Sequence, residues 1–188
     1  TECELIELSQ YCNDVGIAFS STPYSLREAK FLVEHCSVPF LKISSMELTN
    51  LQYLRAISAW KTTFILSTGM GSIGEIERAV EILSSTQSSN LILLHCVSLY
   101  PTPSNLCNLR NISGLRDRFP SATVGFSDHT IGVEAAVASV ALGASLIEKH
   151  FTLDSSKIGM DNQMATGPEG FAKMIQLCSS VHQSLGDC

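Results

Sequence analysis

Short apolar runs recur along the chain, and nearly every one ends in a polar residue able to do chemistry. They occupy residues 17–20, 40–43, 64–67, 91–95, 123–127 and 146–150, and the longer stretches between them are amphipathic. Runs of this length separated by helical segments predict parallel strands joined by crossover helices. The spacing from one run to the next is roughly 23 to 32 residues, which suits repeated βα units. Apolar residues at three- and four-residue intervals predict helices over 24–36, 48–59, 73–83 and 133–142. Pro23 suits the start of the first, Asn50 would cap the second, and Ser72 with Glu75 fits a capping box before the third. A long closing helix is expected over 168–185, opening on Pro168-Glu169.

In a β/α barrel the C-terminal strand ends converge on one mouth, where such enzymes place their active sites. The six ends offer Ser-Thr, Lys, Ser-Thr, His, Ser-Asp-His and Glu-His, so they describe one polar pocket. A closed barrel has eight strands, and the pattern supplies six. The chain also opens on a helix, residues 4–11, with no strand ahead of it. An open sheet of six would leave exposed edges. A barrel lacking its first two βα units is therefore expected, in preference to a different open α/β sheet.

The sharpest candidates are Ser127-Asp128-His129 and Glu148-Lys149-His150, each following an apolar run. The two runs are consecutive, so both imidazoles would sit at neighbouring strand ends, close enough to share a divalent metal. Hydrogen bonding without metal is the alternative. The hydroxyls of residues 20–22, 44–45, 67–68, 98 and 127 surround Lys42 and make a phosphate cradle plausible, although Ser and Thr after a strand often only cap helices. A Lys facing a barrel interior is costly without an anion, so Lys42 points to anion binding or to a Schiff base. His95-Cys96 is a poor metal pair, because adjacent strand residues face opposite sides. The segment 67–71 is glycine-rich but lacks the dinucleotide-binding spacing.

At 188 residues and 45% hydrophobic content the chain can bury a core as one domain. A net charge of −6 with scattered Lys and Arg argues against a nucleic-acid partner. No apolar stretch is long enough to span a bilayer and no signal-peptide layout opens the chain, so a cytoplasmic location and no membrane partner are expected. The seven cysteines form no CxxC pair and read as reduced thiols.

Six motifs, in order, carry a family resemblance. They are Phe19-Ser20-Ser21-Thr22-Pro23, Leu41-Lys42-Ile43-Ser44-Ser45-Met46-Glu47, Ile65-Leu66-Ser67-Thr68-Gly69-Met70, Leu94-His95-Cys96-Val97-Ser98-Leu99-Tyr100-Pro101-Thr102-Pro103, Gly125-Phe126-Ser127-Asp128-His129-Thr130 and Ile147-Glu148-Lys149-His150-Phe151-Thr152. Together they resemble the catalytic barrel of the sialic acid (N-acetylneuraminate) synthase family, from near residue 5 to near residue 186. The resemblance implies an α/β fold of the (β/α)8 TIM-barrel type, with six of eight βα units in residues 1–188. The first two strands and the family's small C-terminal antifreeze-like domain would be missing.

It also implies condensation of phosphoenolpyruvate with an N-acylated amino sugar, such as N-acetylmannosamine, to a nine-carbon 2-keto sugar acid, with release of phosphate. By the family pattern His129 and His150 would hold Mn²⁺ or Mg²⁺. Thr22, Lys42, Ser45, Ser67, Ser98 and Ser127 would hold phosphoenolpyruvate, Glu148 would orient groups or shuttle a proton, and Tyr100 and Asp161 would contact the sugar. A homodimer is implied for the full-length protein. Two departures stand out: Ser98 replaces an Asn common in the family, and the segment 159–165 differs from the usual Gly-Pro-Asp form. A Schiff-base or other phosphoenolpyruvate-dependent aldolase on a related barrel is the second reading, and a non-catalytic sugar- or phosphate-binding remnant the third.

Overall fold

A computed structural model describes residues 1–85, 90–159 and 161–186. Met160 and Cys188 lie outside the described residues. The described chain forms an α/β fold with seven α-helices and five strands: α1 (Glu2–Asp14), α2 (Leu26–His35), β1 (Phe40–Ile43), α3 (Leu51–Ser58), β2 (Thr63–Ser67), α4 (Ile73–Leu83), β3 (Leu91–Cys96), α5 (Asn111–Arg118), β4 (Thr123–Asp128), α6 (Glu134–Ala141), β5 (Ile147–Lys149) and α7 (Pro168–Leu185). It divides into two compact units, Thr1–Ile92 and Leu93–Cys188.

In the first unit β1 and β2 pair in parallel, with Lys42 opposite Ile65. Leu41, Ile43, Phe64 and Leu66 are buried completely, while Phe40 and Lys42 share the other, half-buried face of β1. Helix α3 begins at Asn50, whose side chain accepts from the Tyr53 N–H. The Ser72–Glu75 capping box opens α4, which buries Ile76, Ala79 and Leu83 at three- and four-residue spacing. Helix α2 is capped by Ser25 rather than opened by Pro23, because the Ser25 hydroxyl accepts from the Glu28 N–H.

The structure corrects one element. Residues 17–20 form no strand, so five strands stand where six were expected. Ile17 is exposed, and the Ser20 hydroxyl, rather than a ladder N–H, donates to the Phe40 carbonyl at 2.8 Å. A segment that offers β1 a side chain in place of its backbone follows the sheet without joining it.

In the second unit β4 and β5 pair in parallel, with Ser127 opposite Glu148 and Asp128 opposite Lys149. Gly125 lets them approach: a Cβ there would sit 2.5 Å from the Leu146 carbonyl oxygen and 2.7 Å from Leu94 Cδ2. Val124 and Phe126 are buried. Helix α5 was not expected from the pattern. It is polar, buries only Ile112 and Leu115, and starts at Arg110 without a side-chain cap. No helix among the described residues is long and apolar enough to cross a membrane.

Candidate functional site

Side chains alternate along a strand and paired parallel residues point the same way, so the β4–β5 register puts Ser127 and Glu148 on one face. The Ser127 hydroxyl donates to Glu148 Oε1 at 2.6 Å and lies 3.2 Å from His129 Nε2. His129 Nδ1 lies 2.8 Å from the Val97 carbonyl oxygen. A carbonyl only accepts, so Nδ1 carries the proton and Nε2 keeps its lone pair. The His150 ring lies 5.5 Å from the His129 ring, centroid to centroid. Tyr100 lies against His129 with ring centroids 4.2 Å apart and planes tilted by 32°, and meets His150 edge-on at 6.0 Å. The Tyr100 loop is anchored to the same strand end, since the Thr102 N–H donates to the His129 carbonyl at 2.8 Å. Ser127, His129, Glu148, His150 and Tyr100 therefore form one cluster.

Burial pushes the His129 imidazole below its usual range. The bond to Val97 opposes this shift and the neighbouring His150 reinforces it. A neutral imidazole with a fixed Nδ1–H is the form that ligates metal. Among the described residues no group of three or more His, Cys, Asp or Glu side chains gathers as a metal cage. The donor set fits an open site instead, with two imidazoles within reach of one ion and the remaining positions left to substrate and water.

The first unit holds a second cluster. Lys42 Nζ donates to the Ser67 hydroxyl at 2.8 Å, and the Gly69 N–H donates to the Ser45 hydroxyl at 3.0 Å. The turn that follows is tight: Met70 adopts φ +62°, and a Cβ at Gly71 would overlap Leu48 Cδ2. Thr22 is not part of this hydrogen-bonded set. It lines a cleft of about 640 Å³ with Tyr24, Glu28 and Phe31. Ser44 Oγ is buried with no hydrogen-bond partner among the described residues. An unsatisfied buried hydroxyl costs about 1–3 kcal/mol, so Ser44→Ala should raise the thermal midpoint by roughly 2–4 °C per kcal/mol recovered, as read by calorimetry.

His95, which alternation ruled out only as a joint metal pair with Cys96, is buried and takes a structural partner. Its Nε2 donates to the Cys107 carbonyl at 2.7 Å, and its ring stacks on Phe126.

A family model, NeuB, matches residues 1–188. The chain belongs to the NeuB family. It is 41% identical over 98% of its length to an N,N'-diacetyllegionaminic acid synthase of Campylobacter jejuni, covering 54% of that protein. It is 33% identical over 96% of its length to the N-acetylneuraminate-9-phosphate synthase of Homo sapiens, covering 50% of it. The chain thus spans about half the length of these relatives. A solved N-acetylneuraminic acid synthetase from Leptospira borgpetersenii, in complex with citrate, superposes with a TM-score of 0.95 at 34% identity, covering all of this chain and 65% of that one.

In this NeuB-family chain no side-chain hydrogen bond among the described residues joins Ser98 or Asp161 to the His129 cluster. Ser98 is half-buried in the loop after β3. Asp161 precedes a short 3-10 turn, Asn162–Met164, and makes no side-chain cap bond there. The loop leading to Asp161 is tied together by its neighbour. Asn162 Nδ2 donates to the Asp154 and Lys157 carbonyls, each at 2.7 Å, and its Oδ1 accepts from the Thr152 hydroxyl. Sequence reasoning missed Asn162, whose only signal is a loop full of carbonyls that needs a donor.

Burial also lowers the His95 pKa, with the Cys107 hydrogen bond opposing. Both His95 and His129 are thus held neutral when folded, while an unfolded imidazole titrates near about 6.5. The unfolded chain binds more protons below that value. Their stabilising contribution is therefore complete above about pH 6.5 and is lost as the pH falls through the folded values. The lowered carboxylates, among them Glu75 and Glu134, act only below about pH 4.5. A thermal midpoint that falls between about pH 7 and pH 5 is the expected result; a flat profile there would contradict it.

Proposed function

We propose that this chain carries the catalytic β/α barrel portion of a synthase that condenses phosphoenolpyruvate with an N-acylated amino sugar. The observation that supports it best is the Ser127–Glu148–His129 hydrogen-bonded set with His150 beside it. Two imidazoles, a carboxylate and a hydroxyl on paired strand ends suit activation of a carbonyl acceptor. The arrangement Lys42–Ser67 with Ser45 suits a doubly anionic partner. Family membership supports the same reaction class.

In this reading His129 and His150 hold a divalent cation, Mn²⁺ or Mg²⁺. Such an ion, when bound, supplies Lewis-acid polarisation of the sugar aldehyde. The Nδ1–H bond to Val97 keeps the His129 ring in the ligating tautomer. Tyr100, half exposed over both rings, offers a flat face and a hydroxyl to the acceptor sugar, and Asp161 offers a carboxylate to its hydroxyls. Lys42, Ser45 and Ser67 donate to phosphate and carboxylate oxygens, the role also proposed for Thr22, Ser98 and Ser127. The enol carbon of phosphoenolpyruvate attacks the aldehyde, and Glu148, hydrogen-bonded through Ser127, holds or moves the proton. Water then adds to the resulting oxocarbenium carbon and phosphate leaves. N-acetylmannosamine is one candidate acceptor, and a diacetamido sugar is another.

The test uses the full-length protein that contains this chain, supplied with Mn²⁺, phosphoenolpyruvate and either sugar. Phosphate should be released only when both substrates are present, together with a 2-keto acid of nine carbons. Phosphate release that ignores the sugar, or none with any N-acylated acceptor, would refute the reading. Borohydride reduction with the aldehyde substrate addresses the Schiff-base alternative, since only a free amine at Lys42 would be trapped.

A further inference from the structure

Behind the proposed ligands lies a pair that the chemistry above does not use. Lys149 Nζ donates to Asp128 Oδ2 at 2.8 Å and to the Thr130 carbonyl at 2.5 Å, and the Thr130 N–H donates to Asp128 Oδ1 at 2.9 Å. The two side chains are 1% and 0% exposed. They are opposite each other in the β4–β5 register, one residue on from the Ser127–Glu148 pair, so they point to the other face of the strands. Each is flanked in sequence by the site residues: Ser127 and His129 around Asp128, Glu148 and His150 around Lys149.

A buried ion pair is a weak source of stability, because desolvation offsets most of the attraction and apolar replacement is often neutral or stabilising. What this pair provides is direction. Its three bonds hold both ends of the His129 residue, through Asp128 and Thr130, against the strand that carries His150. The bonds from His129 to Val97 and from Thr102 to His129 then fix the ring and the Tyr100 loop on that frame.

We propose that Asp128 and Lys149 are positioning residues, whose pairing sets the relative placement of His129 and His150 and the Ser127–Glu148 hydrogen bond. The consequence for metal binding rests on the function proposed above; the consequence for the His129 ring does not.

The test, made in the full-length protein, compares the parent with an apolar double variant, Asp128→Leu/Lys149→Met, and an amide double variant, Asp128→Asn/Lys149→Gln. The amide pair carries no charge and has the groups for three hydrogen bonds, with the bond between the two side chains reversed in direction, from the amide nitrogen introduced at position 128 to the amide oxygen introduced at position 149. Melts, Mn²⁺ titration and ¹⁵N-histidine NMR of the His129 tautomer are measured on each, with His129→Ala as the control for the metal. The apolar variant should melt at or above the parent, bind Mn²⁺ about 10–100-fold more weakly and lose the fixed Nδ1–H signature of His129. The amide variant should restore that signature and most of the affinity.

An apolar variant that keeps the parent's tautomer signature and Mn²⁺ affinity overturns the proposal. One that fails to fold overturns it as well, since the pair would then serve stability. If His129→Ala leaves Mn²⁺ binding unchanged, the metal assignment is the part that fails, and the tautomer signature alone decides the role of the pair.

Discussion

Replacing His129 or His150 by alanine should remove most of the affinity for Mn²⁺, and with it most of the condensation rate. Each side chain supplies one of the two imidazoles that the cluster offers, 5.5 Å apart by ring centroid. The loss should exceed the about 10–100-fold that changes to outer-shell partners cause. A Lewis acid at a developing alkoxide is worth several kcal/mol, so the rate should fall by roughly three orders of magnitude or more. The His129 variant also removes one of two hydrogen bonds to the Val97 carbonyl, which keeps the Thr102 hydroxyl at 3.3 Å, so a melt must accompany the titration. His150 gives the cleaner comparison. Two folded variants that bind Mn²⁺ like the parent would remove both residues from the metal site.

Lys42 carries the second large effect. Its Nζ already donates to Ser67 at the end of β2, beside a Ser45 hydroxyl that accepts from the backbone. That setting of hydroxyls suits an oxyanion better than a carbonyl awaiting attack, because an amine poised as a nucleophile needs an apolar or cationic environment. Lys42→Met removes the cation and should weaken phosphoenolpyruvate binding by roughly ten- to a hundredfold, the worth of a charge-assisted hydrogen bond. Lys42→Arg keeps the charge in a wider, planar fork and should retain part of the affinity. A Schiff-base lysine predicts otherwise: arginine would be as inactive as methionine, and a reduced adduct on Lys42 could be isolated.

The periodicity of the chain was enough to find the five strands and six of the helices, because apolar residues recur along them at strand or helix spacing. It failed at two places for identifiable reasons. Residues 17–20 look like a strand by composition, but Ile17 is exposed and Ser20 reaches β1 by its hydroxyl; hydropathy does not distinguish lying alongside a sheet from joining it. Helix α5 was hidden by the opposite problem, since Ile112 and Leu115 are the two apolar residues in an eight-residue segment that is otherwise polar or glycine.

At the site, consecutive strands were the reason for expecting His129 and His150 near each other, and their rings lie 5.5 Å apart, while alternation spoke only against a joint His95–Cys96 pair, and His95 bonds to the Cys107 carbonyl. The same rule set beside the strand register would have revealed the Asp128–Lys149 pair. Two ionisable residues between chemistry-bearing neighbours must point away from the site, and burial there demands that they find each other. Thr22 and Ser98 belong to the hydroxyl set read around Lys42 and Asp161 came with the family pattern, and among the described residues none of the three is hydrogen-bonded to the cluster of its own unit.

The most direct test of the account is to follow the oxygen that bridges carbon and phosphorus in phosphoenolpyruvate. The full-length protein is given Mn²⁺, an N-acylated amino sugar and phosphoenolpyruvate labelled with ¹⁸O at that bridge. The proposed course, in which the enol carbon bonds to the sugar and water adds where the phosphate leaves, predicts that the label appears in inorganic phosphate and that its release depends on the sugar. Label retained in the keto acid, or phosphate formed equally without the sugar, would contradict it.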